Sequence, residues 1–140
     1  MSDALRSVSL TRTGPTTYEA TNARGGVITF GAGGESTDFS PVELLLAAVA
    51  GCSAIDIDLL TSRLAEPTSF TMSASGEKVR DEQGNHLGPV TVTVSVDFPD
   101  GEDGDRARDR LPEAVAMSRD RLCTVSRTVL LPTPVTYEID

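Results

Sequence analysis

One stretch constrains this chain more than any other. Ser40-Pro41-Val42-Glu43 leads directly into Leu-Leu-Leu-Ala-Ala-Val-Ala-Gly-Cys, residues 44–52. Serine is a good N-cap, proline suits the first helical position, and a glutamate three residues after the cap completes a capping box. These signals predict a helix from Ser40 to about Leu64, ahead of Pro67. Leu44–Cys52 carries no charged residue on any face. A helix that is apolar all round must be covered all round, and one small sheet can cover only one side of it. The other side calls for a second helix or a second copy of the chain. The longest nearly apolar run, Val42–Cys52, is too short to span a bilayer.

The flanking sequence supplies strands. Ser7–Arg12 alternates with period two, and Thr16–Ala23 and Val27–Phe30 follow, separated by turn signals at Gly14-Pro15 and Gly25-Gly26. Gly31, Gly33 and Gly34 read as a connection and not as a phosphate loop, because no Lys-Ser/Thr follows them. Thr68–Arg80 and Val90–Phe98 read as two further strands around a hairpin-like loop at Asp81–Gly88. Asp97–Asp105 holds five carboxylates and no base, the pattern of a solvated acidic loop. Helical spacing at Leu111, Ala114, Val115, Ser118 and Leu122 predicts a helix over 105–122, with its firm part starting near Leu111 because Pro112 fits a first turn. Cys123 closes that helix. Val125–Leu131 adds a turn or two, stopped by Pro132 and Pro134, and Val135–Ile139 reads as a terminal strand. The order βββ-α-ββ-α-β lacks βαβ alternation, so the expected class is α+β with a mostly antiparallel sheet. A length of 140 residues favours a single domain over 1–140.

Composition narrows the partners. Twelve Lys and Arg against 21 Asp and Glu give a net charge of −9. That disfavours nucleic acid and anionic lipid, which both require neutralising positive surface. Aromatics are 4% and Trp is absent, so the core must be aliphatic. Met1–Gly14 has no apolar signal-like region, and a cytoplasmic location without membrane association is expected. A single histidine, His86, leaves little material for a Ser-His-Asp or multi-His metal site. Two cysteines, Cys52 and Cys123, lie 71 residues apart, which is neither a disulfide scaffold nor a zinc pattern.

Each cysteine admits two readings. Cys52 sits mid-helix with Ala48, Val49 and Ile55 about one turn away, as a buried structural thiol would. A reactive Cys52 would need a cation from elsewhere in the fold. It lies too deep for the helix dipole to help, and Asp56 at i+4 would raise its pKa. Cys123 stands in Arg-Leu-Cys-Thr-Val-Ser-Arg, at the start of a second helical segment with Arg121 and Arg127 nearby. That position lowers a thiol pKa, and it equally suits a half-buried joint residue.

Ser40–Asp56, followed some seventy residues later by Cys-Thr-Val-Ser-Arg-Thr-Val at Cys123–Val129, resembles the OsmC/Ohr family of osmotically inducible and organic hydroperoxide resistance proteins. The resemblance covers essentially the whole chain, and Gly-Cys-Ser-Ala-Ile-Asp places it in the OsmC-like branch. It implies an OsmC-like fold, with sheets wrapped around long central helices in an intertwined dimer. It also implies a thiol peroxidase for organic hydroperoxides. In that pattern Cys52 attacks the peroxide and becomes a sulfenic acid, Cys123 condenses with it to a disulfide, and a dithiol, small or protein-bound, restores both thiols. No metal or other cofactor is implied. Glu43 matches the family glutamate that positions an arginine against the thiolate. Arg24 is the first candidate for that arginine and Arg12 the second. Thr124 replaces the proline that often follows the second cysteine.

Two alternatives stay open: a non-catalytic module binding a small apolar ligand at the dimer interface, and a general thiol-disulfide exchanger. A cation near Cys52 separates the peroxidase from the non-catalytic module. Glu43 and Cys52 are nine residues apart, which on one helix means about 13.5 Å along the axis and about 180° around it. They cannot meet within one helix, so a Glu43 that serves the site acts through an arginine bridging the gap or comes from a partner chain. The apolar first half of the helix favours the second, and a homodimer is expected in which Glu43 lies nearer to Cys52 of the partner subunit than to its own.

Overall fold

The computed structural model describes residues 3–140; Met1 and Ser2, which open the segment read for a leader, lie outside the described residues. The chain divides into two compact units, Met1–Leu45 and Leu46–Asp140.

The N-terminal unit is a three-stranded antiparallel sheet of Val8–Gly14 (β1), Thr17–Asn22 (β2) and Val27–Gly31 (β3) in sequence order. Its register pairs Leu10 with Ala20 and Ala20 with Ile28. The β1–β2 turn forces Thr16 to a φ of 53°. In the β2–β3 turn Asn22 Oδ1 accepts the N–H groups of Arg24 and Gly26 at 3.0 and 2.9 Å, the asparagine turn chemistry that lets two strands reverse in a few residues. Tyr18 and Phe30 stack with ring centroids 5.7 Å apart. Phe30 also forms an isolated parallel bridge with Phe39, beyond the glycine-rich connection.

The long helix, Pro41–Thr61 (α1), opens on the expected capping box. The Ser40 N–H donates to Glu43 Oε1 at 2.9 Å, and the Glu43 N–H donates to Ser40 Oγ at 3.2 Å. Its other end is fixed by Thr61, fully buried, whose hydroxyl donates to the Ile57 carbonyl at 2.8 Å. Only Val49, Ile57 and Thr61 are buried along α1. Leu45, Ile55 and Leu59 remain 43%, 63% and 59% exposed, so a single chain leaves this apolar helix uncovered. The helix outruns the Val42–Cys52 apolar run, and by length and composition it could cross a membrane, a test that core helices also pass. Asp56 and Asp58 sit in its second half, where a bilayer interior would penalise them.

The C-terminal unit is α+β, and its sheet pairing is antiparallel throughout. Ser69–Ser75 (β4) pairs with Thr91–Asp97 (β7), and between them Lys78–Asp81 (β5) and Gly84–Leu87 (β6) form a separate hairpin. Four strands therefore replace the expected two. Asp81 Oδ1 accepts the Gln83 and Gly84 N–H groups at 2.8 and 3.1 Å, and Gly84 takes a φ of 132°. A tight turn after Asp81 thus folds Lys78–Leu87 into a strand pair that its hydropathy does not advertise.

The second helix, Glu102–Met117 (α2), starts earlier than expected and carries Pro112 in its interior. Part of the acidic loop becomes its first turn, where Glu102, Asp103 and Asp105 complement the positive end of the helix dipole. The missing proline N–H costs one bond; on the preceding turn Arg108 ion-pairs with Asp105 at 2.7 Å and donates to the Phe98 carbonyl at 3.2 Å. Gly104 is required because a Cβ there would collide with the Pro99 carbonyl. The chain continues through a π-helical segment, Ser118–Leu122, before Thr124–Leu130 (α3). Val135–Ile139 forms no strand, and Val135, Tyr137 and Ile139 are exposed. Pro132 and Pro134 withhold donors just before it, and no strand of the described residues pairs with it.

Candidate functional site

The site lies within the C-terminal unit. Cys52 and Asp56, four residues apart on α1, share one helical face. The π-helical segment delivers Ser118 at its start and Cys123 at its end. One ligating atom from each of Cys52, Asp56 and Cys123 lies within 4.8 Å of the others. Both thiols are free; Cys52 is half-buried and Cys123 fully buried. Ser118, 2% exposed, donates its hydroxyl to Asp56 Oδ2 at 2.9 Å. A π-helical turn often marks a functional site, and here it aims a buried hydroxyl and a thiol at the same face of α1.

Cys123 occupies the residue before α3 and acts as its N-cap. Its Sγ accepts the Ser126 N–H at 3.3 Å. Ser126 Oγ lies 3.2 Å from the same sulfur; the thiol donates in this pair, and the hydroxyl can donate once the sulfur is charged. Burial pushes the Cys123 pKa up, but the Ser126 hydroxyl and N–H, with Cys52 and Ser53, outweigh it, and the net direction is down. Cys52 goes the other way. Burial is the main cause, and the neighbouring Cys123 and Asp56 add to it against one favourable donor, the Val125 N–H. A Cys52 thiol that donates to Cys123 favours its own neutral form and its neighbour's charged one.

The structure brings Cys52 and Cys123 together. Glu43 and Arg24 belong to the N-terminal unit, where local bonds hold them: Glu43 in the capping box and Arg24 through its N–H in the β2–β3 turn. The Ser40 N–H, then the Ser40 hydroxyl, lower the Glu43 carboxyl below its ordinary value. Arg12, the second arginine candidate, lies in β1 opposite Tyr18. The activating arginine expected for Cys52 is not among the groups that set its pKa. Sequence reasoning weighed Asp56 only as a perturber and did not single out Ser118, Ser126 or Ser53. A signal existed for Ser118, a lone hydroxyl on the otherwise apolar stripe of Leu111, Ala114, Val115 and Leu122.

Comparison with known proteins gives a consistent placement. The model of a family described as OsmC-like protein matches residues 33–138. An uncharacterized protein of Mycobacterium tuberculosis is 29% identical over 129 residues, covering 91% of each chain. A hypothetical protein from Aquifex aeolicus superposes with a TM-score of 0.72 at 20% identity, covering 92% of this chain and 89% of that one. The organic hydroperoxide resistance protein OhrB of Bacillus subtilis superposes with a TM-score of 0.56 at 18% identity, covering 91% and 93%.

Proposed function

The chain belongs to the OsmC-like protein family, and from that premise we propose that it is a thiol-dependent peroxidase that reduces organic hydroperoxides through Cys52 and Cys123. The observation that carries this reading is the pair of free sulfurs held within 4.8 Å of each other by separate elements. The name of the structurally similar Bacillus subtilis protein, an organic hydroperoxide resistance protein, supports the substrate class.

Cys52, the less buried sulfur, meets the peroxide. Its thiolate attacks the terminal oxygen and the O–O bond breaks. An alcohol leaves after taking up a proton, and Cys52 is left as a sulfenic acid. The Cys123 thiolate then attacks that sulfur, a disulfide forms, and hydroxide leaves as water. A dithiol reductant returns both thiols by exchange. The reading sets the protein in the cytoplasm, where a reducing pool keeps the pair available.

A homodimer is part of the proposal. Its support is the apolar face of α1 that one chain leaves open, together with the family pattern. Glu43 and Arg24 enter as the pair that steadies the thiolate, with Glu43 supplied across the dimer. Glu43 Oε1 takes the Ser40 N–H, and a carboxylate has a second oxygen for a guanidinium. The order of attack has a second reading, favoured by the donors that gather on Cys123: Cys123 attacks and Cys52 resolves.

Reduced protein treated with tert-butyl hydroperoxide and dithiothreitol should consume peroxide over many turnovers. Cys52→Ser should consume none, and Cys123→Ser, given peroxide without dithiothreitol, should consume one equivalent per chain to a sulfenic Cys52, or two to a sulfinic one, by mass spectrometry. The mirror pattern establishes the second order of attack. No consumption by the wild type overturns the peroxidase reading.

A further inference from the structure

We propose that the reduced site is also a metal site: Cys52, Cys123 and Asp56 together bind one thiophilic divalent d10 cation, of which zinc is the prototype. Two sulfurs and a carboxylate oxygen within 4.8 Å of one another are a donor set of the right chemistry, because thiolates select borderline-soft metals over calcium or magnesium. Tetrahedral bonds to sulfur and oxygen place donor atoms about 3.4–3.8 Å apart. From 4.8 Å the cluster needs to contract by no more than about 1.4 Å to reach that geometry.

The surroundings already support such a site. Metal-bound carboxylates are held by a further hydrogen bond that fixes their orientation. Asp56 has one, from the buried Ser118 hydroxyl at 2.9 Å. Cys123 is oriented by the Ser126 N–H. Two thiolates and one carboxylate carry three negative charges, which a divalent cation reduces to one, so binding relieves the repulsion among groups this close. Binding releases two thiol protons, and water completes the fourth position. The 71-residue separation of the cysteines hides the site from any spacing rule, because the third ligand comes from the helix that carries the first.

This goes beyond the peroxidase reading and does not depend on it. Where both hold, they exclude each other at one site: a Cys52–Cys123 disulfide removes both thiolate ligands, and a bound cation occupies both sulfurs.

The test uses no peroxide. Reduced, metal-free protein is titrated anaerobically with Co2+, the spectroscopic stand-in for zinc. Thiolate-to-cobalt charge-transfer and tetrahedral d–d bands should saturate at one ion per chain and vanish on adding one equivalent of Zn2+. The bands should be absent in Cys52→Ser, in Cys123→Ser, and in wild type oxidised to the intramolecular disulfide; the last sample keeps the test open if a buried Cys123→Ser fails to fold. Asp56→Asn should weaken binding by more than about tenfold, and Ser118→Ala by about tenfold. Three results overturn the proposal: no bands in the wild type, bands that survive in the disulfide form, or an unchanged affinity in Asp56→Asn. Peroxide consumption without cobalt bands defeats the metal site alone, and cobalt bands without peroxide consumption defeat the peroxidase alone.

Discussion

The turn of α1 that carries Cys52 and the junction that carries Cys123 hold sulfurs a few ångströms apart, yet they treat a thiol in opposite ways. Burial opposes charge at both. The difference is the supply of free donors. Inside a helix each backbone N–H is used by the carbonyl four residues back, so α1 has none to offer Cys52. The one that reaches it, the Val125 N–H, comes from α3. Cys123 stands immediately before α3, where the first N–H groups have no helical partner. It takes the Ser126 N–H and lies beside the Ser126 hydroxyl. A thiol motif marks where sulfur sits, and the position of that sulfur within or before a helix decides where charge rests.

Oxidation erases this difference, and its effect should be the largest. One equivalent of hydroperoxide should convert the reduced protein to the Cys52–Cys123 disulfide. Closing so long a loop should raise resistance to denaturant by about 2–4 kcal/mol. Peptide mapping identifies the bond, and paired urea melts of the two forms measure the gain. A sulfinic Cys52 with no disulfide would break the pairing.

Ser126→Ala sharpens the contrast. It removes the hydroxyl beside Cys123 and keeps the N–H. In reduced, metal-free protein the midpoint of Cys123 alkylation against pH should move up, because a donor that lowers it is lost. Burial slows alkylation at every pH, so the midpoint and not the rate is the readout. Asp56→Asn acts on the other sulfur. Removing a negative charge that raises Cys52 should move its midpoint down, by less than the Ser126→Ala shift, because Asp56 is the smallest of the causes acting on Cys52, whereas the Ser126 hydroxyl is the largest of those that lower Cys123. Equal shifts at both sulfurs in either variant would show that the pair titrates as one unit.

How much of this was legible varies with whether local signals were the deciding ones. Ser40, Pro41 and Glu43 announce the start of α1, and the alternation in Ser7–Arg12 with the turn signals at Gly14-Pro15 and Gly25-Gly26 marks β1 to β3, because caps, turns and period-two patterns act over a few residues. The β5–β6 hairpin is hidden in Asp-Glu-Gln-Gly-Asn-His, a stretch with no apolar alternation, where Asp81 and Gly84 alone dictate the reversal. Helical spacing starts α2 at Asp105 with its firm part near Leu111, because Pro112 fits a first turn, while the acidic turn and the Gly104–Pro99 approach set the start at Glu102. Val135–Ile139 has strand composition without a partner, and pairing is not a property of one segment. In the site, both cysteines could be named from their motifs. Their meeting with Asp56 and Ser118 depends on how the π-helical segment returns to α1, which no periodicity encodes.

The smallest effect tests whether the capping box is the whole role of Glu43. Its carboxylate accepts the Ser40 N–H, and that bond, with the Ser40 hydroxyl, lowers its pKa below the ordinary 4.5. A carboxyl whose folded pKa is depressed stabilises the fold fully above its unfolded value and loses that contribution as pH falls through the folded one. The stability advantage of wild type over Glu43→Gln should therefore be constant at neutral pH, shrink below about pH 4.5, and vanish in stronger acid. Ser40→Ala, which removes the reciprocal acceptor, should cost about 1 kcal/mol at neutral pH. Urea melts across the pH range measure both. If Glu43→Gln also slows peroxide consumption at neutral pH while Ser40→Ala does not, Glu43 serves the thiolate as well as the helix. Equal loss in both variants would confine it to the cap.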